Sequence, residues 1–310
     1  MTSSGRSLSD FRGAPDPLVR VAKLGFISFD TTDVDRLVAY YRDALQFALV
    51  ERSSDRAYLT TGADHHCVEI RHGETRGRTA LGFEVSGGLD RAADRLAAAG
   101  VVAEHRADPI PGIAASLVIE EPGGAPLHLY ERQASSGEKT TSGIRPTKLG
   151  HVASHVPDLA EMQIFYEDVL GFRWSDTVGN FFAFLRCGPE HHSINLLAVP
   201  APDGSRNKLF HVAYEMRDIT HLRDSLDHIS KHGCALEWGV GRHGVGHNLY
   251  SYHRDPDGNI VELFTELDLI FDERTGYFEP RPWHEEFPQG PKVWVPSPAT
   301  QNIWGIKPPW

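Results

Sequence analysis

Cysteine is scarce in this chain: three in 310 residues, Cys67, Cys187 and Cys234, far apart and odd in number. That argues against a disulfide framework and for a reducing compartment, the cytoplasm. There is no CxxC pair, which argues against a thiolate zinc site. Long apolar runs are missing too; none approaches the ~20 residues a membrane helix needs. The opening stretch, MTSSGRSLSDFRGAPDPLVR, has no apolar segment of the kind a secretory signal requires and reads as a short flexible arm. Positive charge is in deficit, with 31 Lys and Arg against 42 Asp and Glu, a formal net charge of −11. Nucleic acid is therefore a poor partner, because phosphate binding needs a basic surface. What the chain has in abundance is histidine: 17 of them, several inside strand-like runs where a surface excess is a weak explanation.

The chain also repeats itself. LGFISFDTTDVDRLVAYYRDALQF in the first half answers LGHVASHVPDLAEMQIFYEDVLGF in the second. At one constant offset Leu24 meets Leu149, Gly25 meets Gly150, Asp33 meets Asp158, Tyr41 meets Tyr166, and Phe47 meets Phe172. With small shifts DHHCVEI answers EHHSINL, ALGFEV answers LFHVAYE, and PGGAPLHLYE answers PDGNIVELFTE. Matches in this order over more than a hundred residues mark a duplicated domain.

Each half has the same local grammar. A strand such as KLGHVASHV leads to a helix carrying Leu159, Met162, Phe165, Tyr166, Val169 and Leu170 on one face. Asp158 is the expected N-cap and Gly171 the expected stop. Strand runs follow (NFFAFLRC, HHSINLLAV, KLFHVAYEM). A second helix then points Ile219, Leu222, Leu226 and Ile229 inward and ends at Gly233. HNLYSYH and NIVELFTE close the half, joined by the tight-turn sequence RDPDG. The pattern predicts a βαβββ unit twice per half and four times in the chain. The spacer QASSGEKTTSGIRPT reads as a linker. The segment after Asp268 combines proline with tryptophan and has no helical period, so an extended tail is expected rather than a third domain.

The halves differ where it matters. Three strand positions of the second half hold His151, His211 and Glu262; the sequence match puts Phe26, Phe83 and His128 opposite them. A lone strand histidine is more often a hydrogen-bonded interior residue than a ligand, and a lone strand glutamate usually faces water. Together, on matched strands of one copy, they predict a single metal site. Two imidazoles and one carboxylate on a face are the donor set of non-haem Fe(II) oxygenases, although zinc uses the same types.

LGHVASHVPDL, EHHSINLL, LFHVAYE and GRHGVGHNLYSYHRDPDGNIVEL together resemble the type I extradiol catechol dioxygenases of the vicinal oxygen chelate superfamily, from about Leu18 to Phe287. The resemblance implies an α+β fold of two tandem vicinal oxygen chelate domains, each of two βαβββ modules forming a barrel-like curved sheet. It implies an arm at 1–17, a metal-free N-terminal domain at 18–133, a linker at 134–147, a catalytic domain at 148–267 and a tail at 268–310. It puts Fe(II), with Mn(II) as the variant, on His151, His211 and Glu262. The catalytic histidine falls on His192, and the residues that bond the substrate oxygens fall on His243 and Tyr252. Just after the GRH motif, where some members carry an asparagine, this chain has Gly244 and Val245.

The implied reaction is extradiol ring cleavage of a catechol by O2, giving a muconic semialdehyde-type product. His192 would move a proton as O2 is inserted, since histidine titrates near neutrality. The partners implied are a catecholic small molecule, O2 and copies of the chain in a homo-oligomer. Strand alternation would put His191 and His192 on opposite faces, leaving His191 outside or in a structural hydrogen bond. His155 shares a face with His151, either beside the site or in the core. Arg242, Arg254, Arg274 and Arg281 are the cations in the right half for a carboxylate clamp. The tail is expected to cover part of the site. Two readings compete: another dioxygenase of the superfamily (hydroquinone or hydroxyphenylpyruvate type), and a non-catalytic small-molecule binder of the same fold.

Overall fold

The computed structural model describes residues 16–138, 143–201, 208–305 and 307–309, so most of the expected N-terminal arm and the middle of the linker lie outside the described residues. The first module runs β1 (Arg20–Thr31), α1 (Val34–Ala39), β2 (Ala48–Arg52), β3 (Arg56–Thr60) and β4 (Val68–His72). The second runs β5 (Gly77–Ser86), α2 (Leu89–Ala98), β6 (Glu104–Ile110), β7 (Ile113–Glu120) and β8 (Pro126–Tyr130). The third is β9 (Lys148–His155), α3 (Leu159–Ile164), β10 (Arg173–Val178), β11 (Phe182–Arg186) and β12 (Ile194–Leu197). The fourth is β13 (Leu209–Glu215), α4 (Ile219–Lys231), β14 (Leu236–Arg242), β15 (Leu249–Arg254) and β16 (Ile260–Thr265). The βαβββ unit therefore occurs four times.

The modules pair within each half through their first strands. One sheet has the order β2-β3-β4-β1-β5-β8-β7-β6, and the other β14-β15-β16-β13-β9-β12-β11-β10 with a tail strand, β19 (Lys292–Trp294), added at its edge. The two short helices that follow β1 and β9 share a design. Asp33 and Asp158 cap them by accepting from Arg36 N–H and Glu161 N–H, each at 3.0 Å. Each then widens into a π turn, Tyr40–Ala44 and Phe165–Val169. The second turn ends at Gly171, whose φ of 77° suits glycine. In α4 Leu222 and Ile229 are buried as the pattern requires, whereas Ile219, in the first turn, is 44 % exposed.

Both halves share one apolar core. Tyr41 of the first half meets Tyr214 of the second edge to face at 6.1 Å, and Phe83 meets Tyr166 and Phe172 at 6.4 and 5.7 Å. Buried tyrosine hydroxyls find partners across the same boundary: that of Tyr40 with His253 Nε2 at 2.7 Å, and that of Tyr166 donating to Glu121 at 2.9 Å.

The register corrects one sequence match. Gly82 pairs with Phe26 and His128, as Ala213 pairs with His151 and Glu262. Gly82 and Ala213 are therefore equivalent, and Ala80, not Phe83, stands opposite His211. Phe83 corresponds to Tyr214. The first half still lacks two of the three donor side chains.

The tail forms a hairpin, β17 (Ile270–Asp272) with β18 (Tyr277–Phe278), then β19 beside β10, then a short helix α5 (Pro298–Gln301). Among the described residues no helix is long and apolar enough to cross a membrane.

Candidate metal centre and active site

Three adjacent strands, β16, β13 and β9, build the centre. His151, Ala213 and Glu262 lie in one row across them. His211 sits two residues before Ala213 and so points to the same face. The result is a small, nearly equilateral triangle. His151 Nε2 lies 3.1 Å from both His211 Nε2 and Glu262 Oε2, and His211 Nε2 lies 3.2 Å from the same carboxylate oxygen. All three side chains are buried. Such a triangle lets one ion with bonds of ~2.1 Å reach every donor atom.

The electrostatics suit a cation. Burial drives the His151 and His211 imidazoles down to about 3, so both are neutral near pH 7 and present lone pairs. Two neutral nitrogens and a carboxylate crowded together are the donor set of a divalent metal. The outer Nδ1 atoms of both rings are buried without partners. Packing therefore sets the ring planes: His151 between His192 and Phe264, His211 between Phe210 and Tyr252. Glu262 is held from outside by Asn248, which donates to Oε1 at 2.9 Å, and by the Tyr252 hydroxyl, which donates to Oε2 at 2.9 Å.

The other expected site residues ring the triangle. Tyr252 is the cross-strand neighbour of Glu262, which explains the contact. Burial, then the adjacent carboxylate, pushes its phenol well above the usual range, so it stays protonated. His243 follows the end of β14, with Nε2 3.1 Å from the Tyr252 hydroxyl and its ring stacked on Tyr250 at 3.8 Å. Its Nδ1 donates to the Gln301 carbonyl of the tail. His192 lies with its ring 4.4 Å from that of His151 and 5.2 Å from Phe184. Burial first, and then the neighbouring imidazoles, hold it well below the ordinary histidine value, hence neutral.

His191 needs a correction to the alternation argument. The pair lies in the loop before β12, which starts at Ile194, so strand parity does not apply. Both rings are buried, with His191 Nδ1 2.9 Å from His192 Nδ1 and His191 Nε2 3.0 Å from Asp176. Of the outside and structural options, the hydrogen-bonded one holds. His155 is peripheral: it bonds the Val199 carbonyl at 2.9 Å and packs on Phe210.

Two further groups escaped the sequence reading. Asn248 had no repeat partner to flag it. The His247–Asp268–His284 cluster draws on two sides of the tail boundary: Asp268 takes His247 Nδ1 at 2.7 Å on one oxygen, and His284 Nε2 at 3.0 Å with Trp283 Nε1 at 3.1 Å on the other. Burial works to raise the Asp268 carboxyl, but the hydrogen bonds from His247 and His284 outweigh it and hold it well below the usual range. Each imidazole has its own carboxylate oxygen, so the group is a clamp that ties the tail to the barrel. The four arginines considered as a carboxylate clamp are all in ion pairs: Arg242 with Glu266, Arg254 with Glu237, Arg274 with Asp272, and Arg281 with Glu279.

The chain is similar to several known proteins. Residues 148–263 match the model of the Glyoxalase/Bleomycin resistance protein/Dioxygenase superfamily. The chain is 25 % identical over 299 residues to a manganese-dependent 2,3-dihydroxybiphenyl 1,2-dioxygenase of Geobacillus genomosp. 3, covering 88 % of this chain and 93 % of that one. It is 26 % identical over 287 residues to an iron-dependent extradiol dioxygenase of Rhodococcus jostii, covering 82 % and 92 %. Among solved structures, a Mn(II)-bound glyoxalase from Novosphingobium aromaticivorans superposes with a TM-score of 0.81 at 28 % identity, over 94 % of this chain and 93 % of that one.

Proposed function

We infer, from a chain that belongs to the Glyoxalase/Bleomycin resistance protein/Dioxygenase superfamily and is of the type I extradiol kind over most of its length, that it cleaves a catechol ring with O2 beside the diol. The observation that carries the reading is the His151–His211–Glu262 triangle, set on one face of three adjacent strands. Fe(II) or Mn(II) is the metal these donors would hold. When bound it would bring the diol and O2 together and acidify a coordinated hydroxyl.

The chain's own residues do the rest. Neutral His192 is placed to accept and return a proton as the ring opens. Tyr252 and His243, 3.1 Å apart, can hold a substrate oxygen between them and pass its proton outward. Val178, Phe184 and Val245 form an apolar cluster, with Phe184 against His192, that keeps water from that side. With Arg242, Arg254, Arg274 and Arg281 already committed to carboxylates, the site favours an uncharged catechol over a carboxylated one.

Oxygen uptake by protein loaded anaerobically with Fe(II) or Mn(II) tests this, using a panel of uncharged and carboxylated catechols. Uptake with appearance of a yellow ring-opened product is expected for the uncharged set. No uptake with any catechol and either metal overturns the reading; preference for a carboxylated substrate overturns the specificity.

A further inference from the structure

Behind His192 lies a chain of buried groups that the reaction as described does not use. Asp176 Oδ2 is 3.0 Å from His191 Nε2, and His191 Nδ1 is 2.9 Å from His192 Nδ1. Asp176 and His191 are fully buried and His192 is 3 % exposed. Asp176 is itself fixed by the tail, accepting from Lys292 N–H at 2.8 Å and Trp294 Nε1–H at 2.9 Å. The donor and acceptor inventory suggests where the ring hydrogens sit. Both Asp176 oxygens already accept from N–H donors of the tail, so His191 Nε2 supplies the hydrogen of the contact and points it at Asp176. With a single ring hydrogen, placed at Nε2, His191 offers only a lone pair at Nδ1, and His192 then donates from its own Nδ1. The remaining nitrogen, His192 Nε2, is left bare.

We propose that Asp176 and His191 are positioning residues that lock His192 in its Nδ1–H tautomer, with Nε2 as an acceptor toward the centre, and that tail strand β19 holds the lock in place. This rests on the extradiol reading only for its effect on turnover, because the tautomer is a property of the metal-free chain.

The duplicated half supplies the contrast. There Glu51 Oε1 lies 2.9 Å from His65 Nε2, and His65 Nδ1 lies 3.1 Å from His66 Nδ1. The relay geometry is thus a property of the fold. Yet the Glu51 side chain is 51 % exposed, whereas that of Asp176 is 0 % exposed. Only the copy that also holds the His–His–Glu triangle buries and clamps its carboxylate. An isolated neutral imidazole prefers its proton on Nε2, so the arrangement imposes the less favoured tautomer where an acceptor is needed.

The first test uses metal-free protein labelled with 15N-histidine, with His192→Phe and His191→Phe to assign the resonances. The wild type should show His192 protonated on Nδ1 and bare on Nε2, and His191→Phe should return it to Nε2–H. A wild-type His192 protonated on Nε2 overturns the proposal whether or not the enzyme turns over. The second test is a double-mutant cycle in metal-loaded protein. His191→Phe should lower kcat/KM for O2 by about 10- to 100-fold with little change in the catechol KM, within the range of acid–base catalysis. In a His192→Phe background the same change should cost less than about threefold. Equal losses in both backgrounds would make His191 merely structural. If His191→Phe fails to fold, Trp294→Phe, which removes one donor to Asp176, replaces it and should shift the His192 tautomer population in the same direction. An unchanged population would refute the role of the tail.

Discussion

Gly244 follows His243, and the space at its α-carbon is taken. A methyl group there would come within 2.2 Å of the Ala299 carbonyl oxygen and 3.0 Å of the Thr300 α-carbon, both backbone of α5. Its φ lies outside the left-handed region, so Gly244→Ala carries no backbone cost and acts only by pushing the tail away. Four hydrogen bonds dock the tail here. Gly244 N–H meets Thr300 O at 3.3 Å, Ile303 N–H meets Arg242 O at 2.9 Å, Arg242 N–H meets Asn302 Oδ1 at 3.2 Å, and His243 meets Gln301 O. At ~1 kcal/mol net each they supply about 4 kcal/mol. Overpacking by one methyl costs about 1–3 kcal/mol, which lowers the docked-to-undocked ratio by roughly 5- to 150-fold. His243 would lose the acceptor that fixes its Nδ1–H and orients Nε2 toward Tyr252. The barrel core is untouched. The expected outcome is therefore faster protease cleavage between β19 and α5 and a fall in kcat/KM of about tenfold, with the unfolding midpoint nearly unchanged. Wild-type cleavage and turnover in Gly244→Ala would refute the claim that the tail positions His243.

Three further outcomes follow from the same geometry. Fe(II) or Mn(II) at a hundred times its dissociation constant should stabilise the fold by about 2.7 kcal/mol. Glu262→Gln should abolish that shift in a thermal melt, and Asn248→Ala should weaken metal affinity by about 10- to 100-fold; an undiminished shift in Glu262→Gln would place the metal elsewhere. Burial pushes the Asp255 carboxyl up to about 6, so its contribution is greatest below about pH 4 and is lost as pH rises through 6. Asp255→Asn removes that titration and should gain up to about 2–3 kcal/mol relative to wild type between pH 4.5 and 7.5 in urea unfolding. A mutant difference that does not vary with pH contradicts this. Gly150→Ala would drive a methyl to 2.4 Å from the Phe264 ring, which packs on His151 at 5.0 Å. It should cost about 1–3 kcal/mol and weaken metal binding together; destabilisation with unchanged metal affinity would separate Phe264 from the centre.

Much of this protein was written along the chain. Period-two and helical apolar patterns recur four times, and pattern is local, so the βαβββ units were readable without coordinates. The three donors were readable because duplication supplies an internal reference: a histidine or glutamate that its twin lacks stands out. Tyr252 beside Glu262 followed from the turn RDPDG, which sets them across one hairpin.

What the chain alone left open were facts about register, direction and contact over long separations. A shift in alignment is cheap in sequence but moves a strand residue to another position or face. That is why the ALGFEV–LFHVAYE match sets Phe83 opposite His211 although strand pairing sets it with Tyr214. Alternation misled for His191 because the His191–His192 pair sits in a loop, where side-chain direction depends on what surrounds it. Asp176 and Trp294 lie 118 positions apart, and His243 and Gln301 lie 58 apart; only the return of the tail along β10 joins them at the site. The amino-acid order thus determined which chemistry the second half carries. The tertiary structure decided which way each histidine faces and what it meets, because those depend on partners brought together by folding rather than by sequence.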